Sequence, residues 1–214
     1  MIVPVGQPMP FKFHLCYITD RHSLAPVLPG PQLQAAIKAG VDLIQIREKD
    51  LPCRELLDLA ATAVEFSRAS DTQIVINDRL DIAIAARAHG VHLGGQSLPP
   101  GVVRQHIDKD FLVGVSCHSF EDAVRAETGG ADYILLGPIF DTPSKRPYGP
   151  PLGLNRLSEV AKRIRIPVLA LGGITVERVR PCLDAGATGI AAIRLFQECK
   201  SVEDRVRELR EKFS

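Results

Sequence analysis

Short apolar runs rich in β-branched residues alternate with longer amphipathic segments along the whole of this 214-residue chain. Eight runs predict strands: HLCYIT (14–19), DLIQI (42–46), QIVIN (73–77), GVHLG (90–94), FLVGVS (111–116), DYILLG (132–137), PVLALG (167–172) and GIAAI (189–193). Between and after them the pattern predicts helices near 31–39, 53–68, 79–88, 100–106, 120–129, 155–164, 176–185 and 201–212. In ELLDLAATAVEF, for example, Leu56, Leu57, Ala60, Val64 and Phe66 fall close to one helical stripe. Most strand runs are nearly continuous in hydrophobicity, as parallel strands covered on both faces require. Four helices run into small-residue turns, KAGVD, AHGVH, GGADY and DAGATG. Glycine is expected there as a left-handed C-cap before the chain returns to the sheet. Eight βα units in about 200 residues predict an α/β fold, a single (β/α)8 TIM barrel. A doubly wound sheet is the other architecture that this alternation allows.

Composition changes that picture little. The chain is 45% hydrophobic and 24% charged with a formal net charge of +1. That balance argues against a protein that coats nucleic acid or an acidic membrane, and a homo-oligomer is allowed. No apolar run approaches the roughly 20 residues that span a bilayer. The opening MIVPVGQPMPF carries three prolines and no basic stretch, which predicts a flexible arm over 1–13 ahead of one domain over 14–214. Five cysteines, Cys16, Cys53, Cys117, Cys182 and Cys199, are widely spaced and form no CxxC; reduced thiols in a cytoplasmic protein are expected.

Candidate chemistry enters where the strands end, since barrel active sites gather at the C-terminal ends of strands. The second strand runs into QIREKD, so that Gln45, Arg47 and Lys49 alternate with apolar or acidic neighbours and share one face. Glu48 and Asp50 are then expected to point outward as salt-bridge partners. Asn77 and Asp78 end the third strand; His92, Gly94 and Ser97 end the fourth; Ser116 and His118 end the fifth. The sixth runs into GPIFDTPSKRPYGPPLG, long enough for a lid, with Thr142, Ser144 and Lys145 in it. Asn77 and Asp78 would also serve as a helix start, and Ser116 and His118 as satisfied polar groups. What sets the bland readings aside is that all of these fall on one rim. Arg47, Lys49 and Lys145 supply cations, Asn77 an amide donor, and Asp78 a hard oxygen suited to Mg²⁺. Together they describe a diphosphate clamp, with a second phosphate site at Gly172 and Gly173 after strand seven.

The ordered runs YITDR (17–21), QIREKD, IND (76–78), GVHLG, GVSCHS (114–119), GPIFDTPSK (137–145) and GGIT (172–175) resemble the thiamine phosphate synthase and TenI-type superfamily. The resemblance implies a transferase of thiamine biosynthesis that joins hydroxymethylpyrimidine diphosphate to a thiazole phosphate and releases pyrophosphate. It also implies that Gln45, Arg47, Lys49, Asn77, Ser116 and Lys145 hold the pyrimidine diphosphate, with Arg47, Lys49 and Lys145 catalytic. Asp78 would bind Mg²⁺, and Thr142, Ser144, Gly173, Ile193 and Arg194 would face the thiazole phosphate. Three positions depart from the synthase pattern. Ser97 stands where a second metal carboxylate is usual, in an SLP ending common in the TenI-type branch of thiazole tautomerases. Pro138 stands, as in synthases, where that branch carries its proton-transferring histidine. Arg194 replaces a small hydroxyl residue. A tautomerase and a catalytically silent phosphate-ligand sensor are the alternatives on the same fold.

Overall fold

A computed structural model describes residues 13–23, 30–142 and 150–213. Eight parallel strands close in sequence order into a barrel: β1 (Leu15–Ile18), β2 (Leu43–Ile46), β3 (Gln73–Asn77), β4 (Gly90–Leu93), β5 (Leu112–Cys117), β6 (Tyr133–Leu136), β7 (Val168–Leu171) and β8 (Gly189–Ala192). Outside them lie α1 (Gly30–Lys38), α2 (Cys53–Ser67), α3 (Leu80–Ala85), α4 (Pro100–Val103), α5 (Phe120–Thr128), α6 (Gly153–Arg163), α7 (Val176–Asp184), α8 (Arg194–Gln197) and α9 (Val202–Arg210). The barrel expectation holds. Helix α4 is shorter than the 100–106 segment, and α8 was not expected from the pattern. Among the described residues no helix is long and apolar enough to cross a membrane. All five cysteines are free.

Side chains alternate in direction along a strand, and the two apolar clusters follow that parity. Cys16, Ile18, Leu43, Val75, Leu112, Tyr133, Leu135, Leu169 and Ala191 fill the barrel with Phe13. Their strand neighbours Tyr17, Ile44, Ile46, Ile74, Ile76, Val91, Val113, Ile134 and Ile190 belong to the shell packed on the helices. Phe13 falls within the expected arm. It is instead 3% exposed, its ring edge-on to Tyr133 with centroids 5.5 Å apart. The apolar ring plugs the barrel, so the domain begins at least one residue earlier. Residues 1–12 of the expected arm lie outside the described residues.

The four small-residue turns share one construction. After α1, the N–H of Gly40 donates to Ile37 and that of Val41 to Ala36. The same pair of bonds closes α3 (Arg87 to Ile84, Ala88 to Ala83), α5 (Gly130 to Glu127, Ala131 to Ala126) and α7 (Gly186 to Leu183, Ala187 to Cys182). These are Schellman closures, which need a left-handed residue at the turn. Gly40, Gly130 and Gly186 supply it with φ of 79°, 88° and 97°. In AHGVH the expected glycine does not: the left-handed residue is Arg87, φ 54°. Gly90 is three residues on, in β4, where a Cβ would lie 2.3 Å from the Leu112 carbonyl oxygen. It is glycine for close strand approach.

One residue past each closure, a side chain accepts the first or second N–H of the preceding strand. Asp42 Oδ2 accepts from Leu15 N at 2.8 Å, His89 Nδ1 from Ile74 N at 2.9 Å, Asp132 Oδ2 from Val113 N at 2.7 Å, and Thr188 Oγ1 from Val168 N at 3.3 Å. Each N–H lies beyond the reach of the incoming strand's ladder and would otherwise be orphaned. At the two acidic returns an arginine completes the joint. Arg210 bonds both Asp42 and the Gly40 carbonyl, and Arg104 bonds both Asp132 and the Gly130 carbonyl.

Replacing Asp132 by Ala removes the partner of a buried strand N–H, and should lower unfolding stability by about 1–3 kcal/mol. Asp81→Ala, which breaks an ion pair whose carboxylate is 63% exposed, should cost under about 1 kcal/mol. Urea unfolding of both variants checks this; equal losses would mean that the return joint contributes nothing special.

Candidate active site

At the C-terminal ends of the strands lies a cleft of about 730 Å³. Among the described residues it is lined by Glu48, Lys49, Asn77, Asp78, Arg79, the loop Gly94–Ser97, His118, Pro138, Pro150 and Leu152, with apolar contacts from Ile46, Leu51 and Leu56. Of the residues expected from sequence, Lys49, Asn77, Asp78 and Ser97 line it. Gln45 is one hydrogen bond away, its Nε2 donating to Asn77 Oδ1 at 3.0 Å. That bond uses one acceptor position of the Asn77 carbonyl, and among the described residues the amide N–H groups of Asn77 have no partner. Gln45 Oε1 is buried with no partner among the described residues.

The charges of QIREKD divide by parity. Arg47 follows Gln45 on the inward face; its N–H donates to Thr19 Oγ1 at 2.9 Å, and its guanidinium lies 3.9 Å from the Asp20 carboxylate. Lys49 is exposed on the cleft, and among the described residues no ion pair holds it. Asp50 points outward as expected, pairing with Arg21 and with His22 at 2.9 Å. Hydrogen bonding from Arg21 is the main reason that its carboxyl lies below the usual range. Glu48 also points outward and lies 3.9 Å from the Arg21 guanidinium, as expected, but it is buried and not exposed. It is 3% exposed, accepts the Arg21 N–H at 3.0 Å through Oε2, and leaves Oε1 buried without a partner among the described residues. Parity turns Glu48 toward the helix layer, where the β1 loop closes over it.

Asp78 sits in left-handed backbone, φ 64°, its N–H donating to the His92 carbonyl at 2.8 Å. Non-glycine residues in that region are uncommon and concentrate at functional sites. Among the described residues its carboxylate has no hydrogen-bond partner. Ser97 Oγ accepts the Gly94 N–H at 2.7 Å and so closes its own loop. No group of three or more His, Cys, Asp or Glu is placed to hold a metal among the described residues.

The remaining expected residues form a second set after β6, β7 and β8. Thr142 is buried, Gly173 has φ 65° with its carbonyl taken by Arg178 at 2.7 Å, Ile193 precedes α8, and Arg194 is its exposed first residue. A Cβ on Gly173 would meet the Asp141 carbonyl at 2.7 Å, so the turn admits only glycine. These four do not line the cleft. Ser144 and Lys145 lie outside the described residues.

Two histidines named on the rim received no role from sequence. His118 lines the cleft, and its Nδ1 bonds the Gly137 carbonyl at 2.5 Å. A carbonyl can only accept, so Nδ1 carries a proton and donates it. His92 is fully buried between the Tyr133 hydroxyl (Nδ1, 3.1 Å) and Ser116 Oγ (Nε2, 2.9 Å). Burial pushes its pKa down to about 3. A histidine at the inward position of an otherwise apolar tetrad was the available signal.

Cations and amide donors at the mouth of a (β/α)8 barrel, beside a carboxylate that is free among the described residues, define a class: barrels that receive an anionic, phosphate-bearing small molecule. The family is then given by comparison. Residues 15–196 match the model described as "Thiamine monophosphate synthase", and the chain belongs to that family. It is 42% identical over 197 residues to a putative thiamine-phosphate synthase of Geobacter sulfurreducens, covering 92% of each chain. It is 37% identical to a thiamine-phosphate synthase of a Roseiflexus species, covering 87% of this chain and 79% of that one. A thiamine phosphate pyrophosphorylase from Pyrococcus furiosus superposes with a TM-score of 0.84 at 34% identity, over 94% of this chain and 95% of the other.

The buried imidazole gives folding a pH dependence with a definite sign. Unfolded histidine takes its proton near pH 6.5, whereas folded His92 does so only near 3. Stability from this group is therefore complete above about 6.5 and falls as pH drops from there toward 3. Between pH 7.5 and 5.5 the wild type should lose roughly 1.4 kcal/mol more than His92→Gln. Urea midpoints at the two pH values test it, and parallel losses would place His92 in contact with water.

Proposed function

We propose that this protein joins hydroxymethylpyrimidine diphosphate to a thiazole phosphate to give thiamine phosphate and pyrophosphate. It is a transferase acting on small phosphorylated substrates, with neither nucleic acid nor membrane as partner, and a cytoplasmic enzyme that is free to self-associate. The pyrimidine-methyl carbon–oxygen bond breaks with its electron pair leaving on pyrophosphate, and the thiazole nitrogen then forms the new carbon–nitrogen bond. Such a reaction asks for charge stabilisation on the leaving oxygens and exclusion of water, not for a general base.

The observation that carries this reading is the convergence on one cleft of Lys49, the amide of Asn77 and the carboxylate of Asp78, the last with no hydrogen-bond partner among the described residues. Arg47 and Lys49 take the diphosphate oxygens, Asn77 and Ser116 add neutral donors, and Lys145 is the third cation of the proposed clamp. Gln45 Oε1, a buried acceptor without a donor among the described residues, suits the exocyclic amine of the pyrimidine. Thr142, Ser144, Gly173, Ile193 and Arg194 hold the thiazole phosphate, with Arg194 offering two parallel N–H groups. Pro138, on the cleft wall, has no proton to move, which favours the synthase over a tautomerase.

A Mg²⁺ ion fits the donor set. It usually takes one or two carboxylates with substrate phosphates and water, and Asp78 supplies one. Ser97 is a weaker donor, since its oxygen already accepts from Gly94. When bound, the ion neutralises charge on the diphosphate.

Incubation with both phosphorylated substrates should yield thiamine phosphate. Arg47→Ala and Lys49→Ala should each lower turnover more than about tenfold, since each removes a charge-assisted contact worth roughly 1.5–3 kcal/mol. Asp78→Asn should raise the Mg²⁺ concentration needed for half-maximal rate. Full activity in either cation variant at saturating substrate would sink the clamp, and an unmoved Mg²⁺ requirement would remove Asp78 from the metal.

A further inference from the structure

Three adjacent strands build a hydrogen-bonded file inside the barrel. Tyr133 on β6 is fully buried, and its ring lies across Gly114 on β5. A Cβ on Gly114 would sit 2.1 Å from Tyr133 Cζ and 2.3 Å from its hydroxyl, so only glycine lets the phenol cross β5. Beyond it the hydroxyl meets Nδ1 of His92 on β4 at 3.1 Å, and His92 Nε2 meets Ser116 Oγ at 2.9 Å. Ser116 stands two residues past Gly114, on the same inward face of β5 but nearer the mouth.

The direction of these bonds follows from counting protons. His92 Nδ1 is the one hydrogen-bond partner that the described residues give the Tyr133 hydroxyl. A buried hydroxyl proton needs an acceptor, so the phenol donates to Nδ1. A neutral imidazole then carries its proton on Nε2 and donates it to Ser116 Oγ. With that oxygen accepting, the Ser116 proton points onward.

We infer that Tyr133 and His92 are positioning residues that fix the Ser116 hydroxyl as a donor toward an anionic oxygen of the bound diphosphate. The inference rests on the reading of Ser116 as a diphosphate contact. Reversed, the file would orphan the phenol proton and present Ser116 as an acceptor, which repels an anion. Donation from Nε2 also polarises the serine hydroxyl, since hydrogen bonds in a chain strengthen one another.

Nitrogen NMR of the unliganded protein labelled in histidine reads the file directly, with His92→Gln identifying the signal. His92 should show an unprotonated Nδ1 and a protonated Nε2 at neutral pH. Tyr133→Phe keeps the ring but removes the donor, so the proton should move partly or wholly to Nδ1. Inorganic pyrophosphate, titrated in the presence of Mg²⁺, should bind Tyr133→Phe about tenfold more weakly than wild type, the size of one hydrogen bond to a charged group. Adding Ser116→Ala to Tyr133→Phe should weaken it little further than Ser116→Ala does alone. A wild-type His92 protonated on Nδ1 overturns the inference, as does Tyr133→Phe with unchanged pyrophosphate affinity. If the tautomer is as stated but wild type binds no pyrophosphate, the file stands and the reading of Ser116 as an anion contact falls.

Discussion

The architecture depends on how the chain re-enters the sheet. Before β2, β4, β6 and β8, a left-handed turn ends a helix and a polar side chain accepts the first or second N–H of the preceding strand. That bond fixes where each new strand starts relative to its neighbour. A slip of one residue would turn every side chain to the opposite face, moving Gln45, Asn77, His92 and Ser116 into the helix layer and Ile44, Ile46, Ile76 and Val115 into the barrel. Four short joints therefore decide which residues can meet a ligand. Aspartate is used twice because a carboxylate can accept from a strand N–H and an arginine at once, at Asp132 through the same Oδ2; His89 and Thr188 do the first task alone.

Much of this was legible in the residues. Continuous β-branched runs at regular spacing gave the strands, and the crowding of polar residues at their ends gave Lys49, Asn77 and Asp78. What escaped were features decided by contacts distant in sequence. Glu48 reads as one more charge in REKD, yet the loop after β1 covers it, and only the fold supplies the Arg21 N–H that it accepts. Gly90 reads as a helix cap because it follows a helix, but the cap closes three residues earlier on Arg87, whose φ of 54° no propensity would assign. Helix α8 is four residues long, below the length at which periodicity can be read. His92 sits in a run that is otherwise apolar, and its importance appears only when Tyr133 and Ser116 are brought to either side.

Electrostatic balance at the rim separates structural charge from available charge. Arg21 spends its charge on Asp50 and Glu48, and Arg79 on Asp81, in a two-point pair with Nε–Oδ1 at 2.8 Å and NH2–Oδ2 at 2.6 Å. Arg47 is only loosely countered, at 3.9 Å from Asp20, too long for a hydrogen bond. An arriving anion can take Arg47 from Asp20 at little cost, whereas extracting Arg79 would break two bonds. Lys49 needs no extraction.

The mouth is also polarised along its depth. Its rim carries the cations and the amide of Asn77, while Gln45 Oε1 below is a buried acceptor with nothing to accept among the described residues. An orphaned buried acceptor costs about 1–3 kcal/mol, and a ligand that brings a donor removes that cost. A ligand that fits both requirements holds its anionic end outward and an N–H-bearing ring inward. An aminopyrimidine diphosphate has that polarity, and inverting it would set phosphate oxygens against Gln45 Oε1 and leave the cations unmatched. On the proposed reading, the same polarity would let pyrophosphate leave toward solvent while the ring stays behind to meet the second substrate.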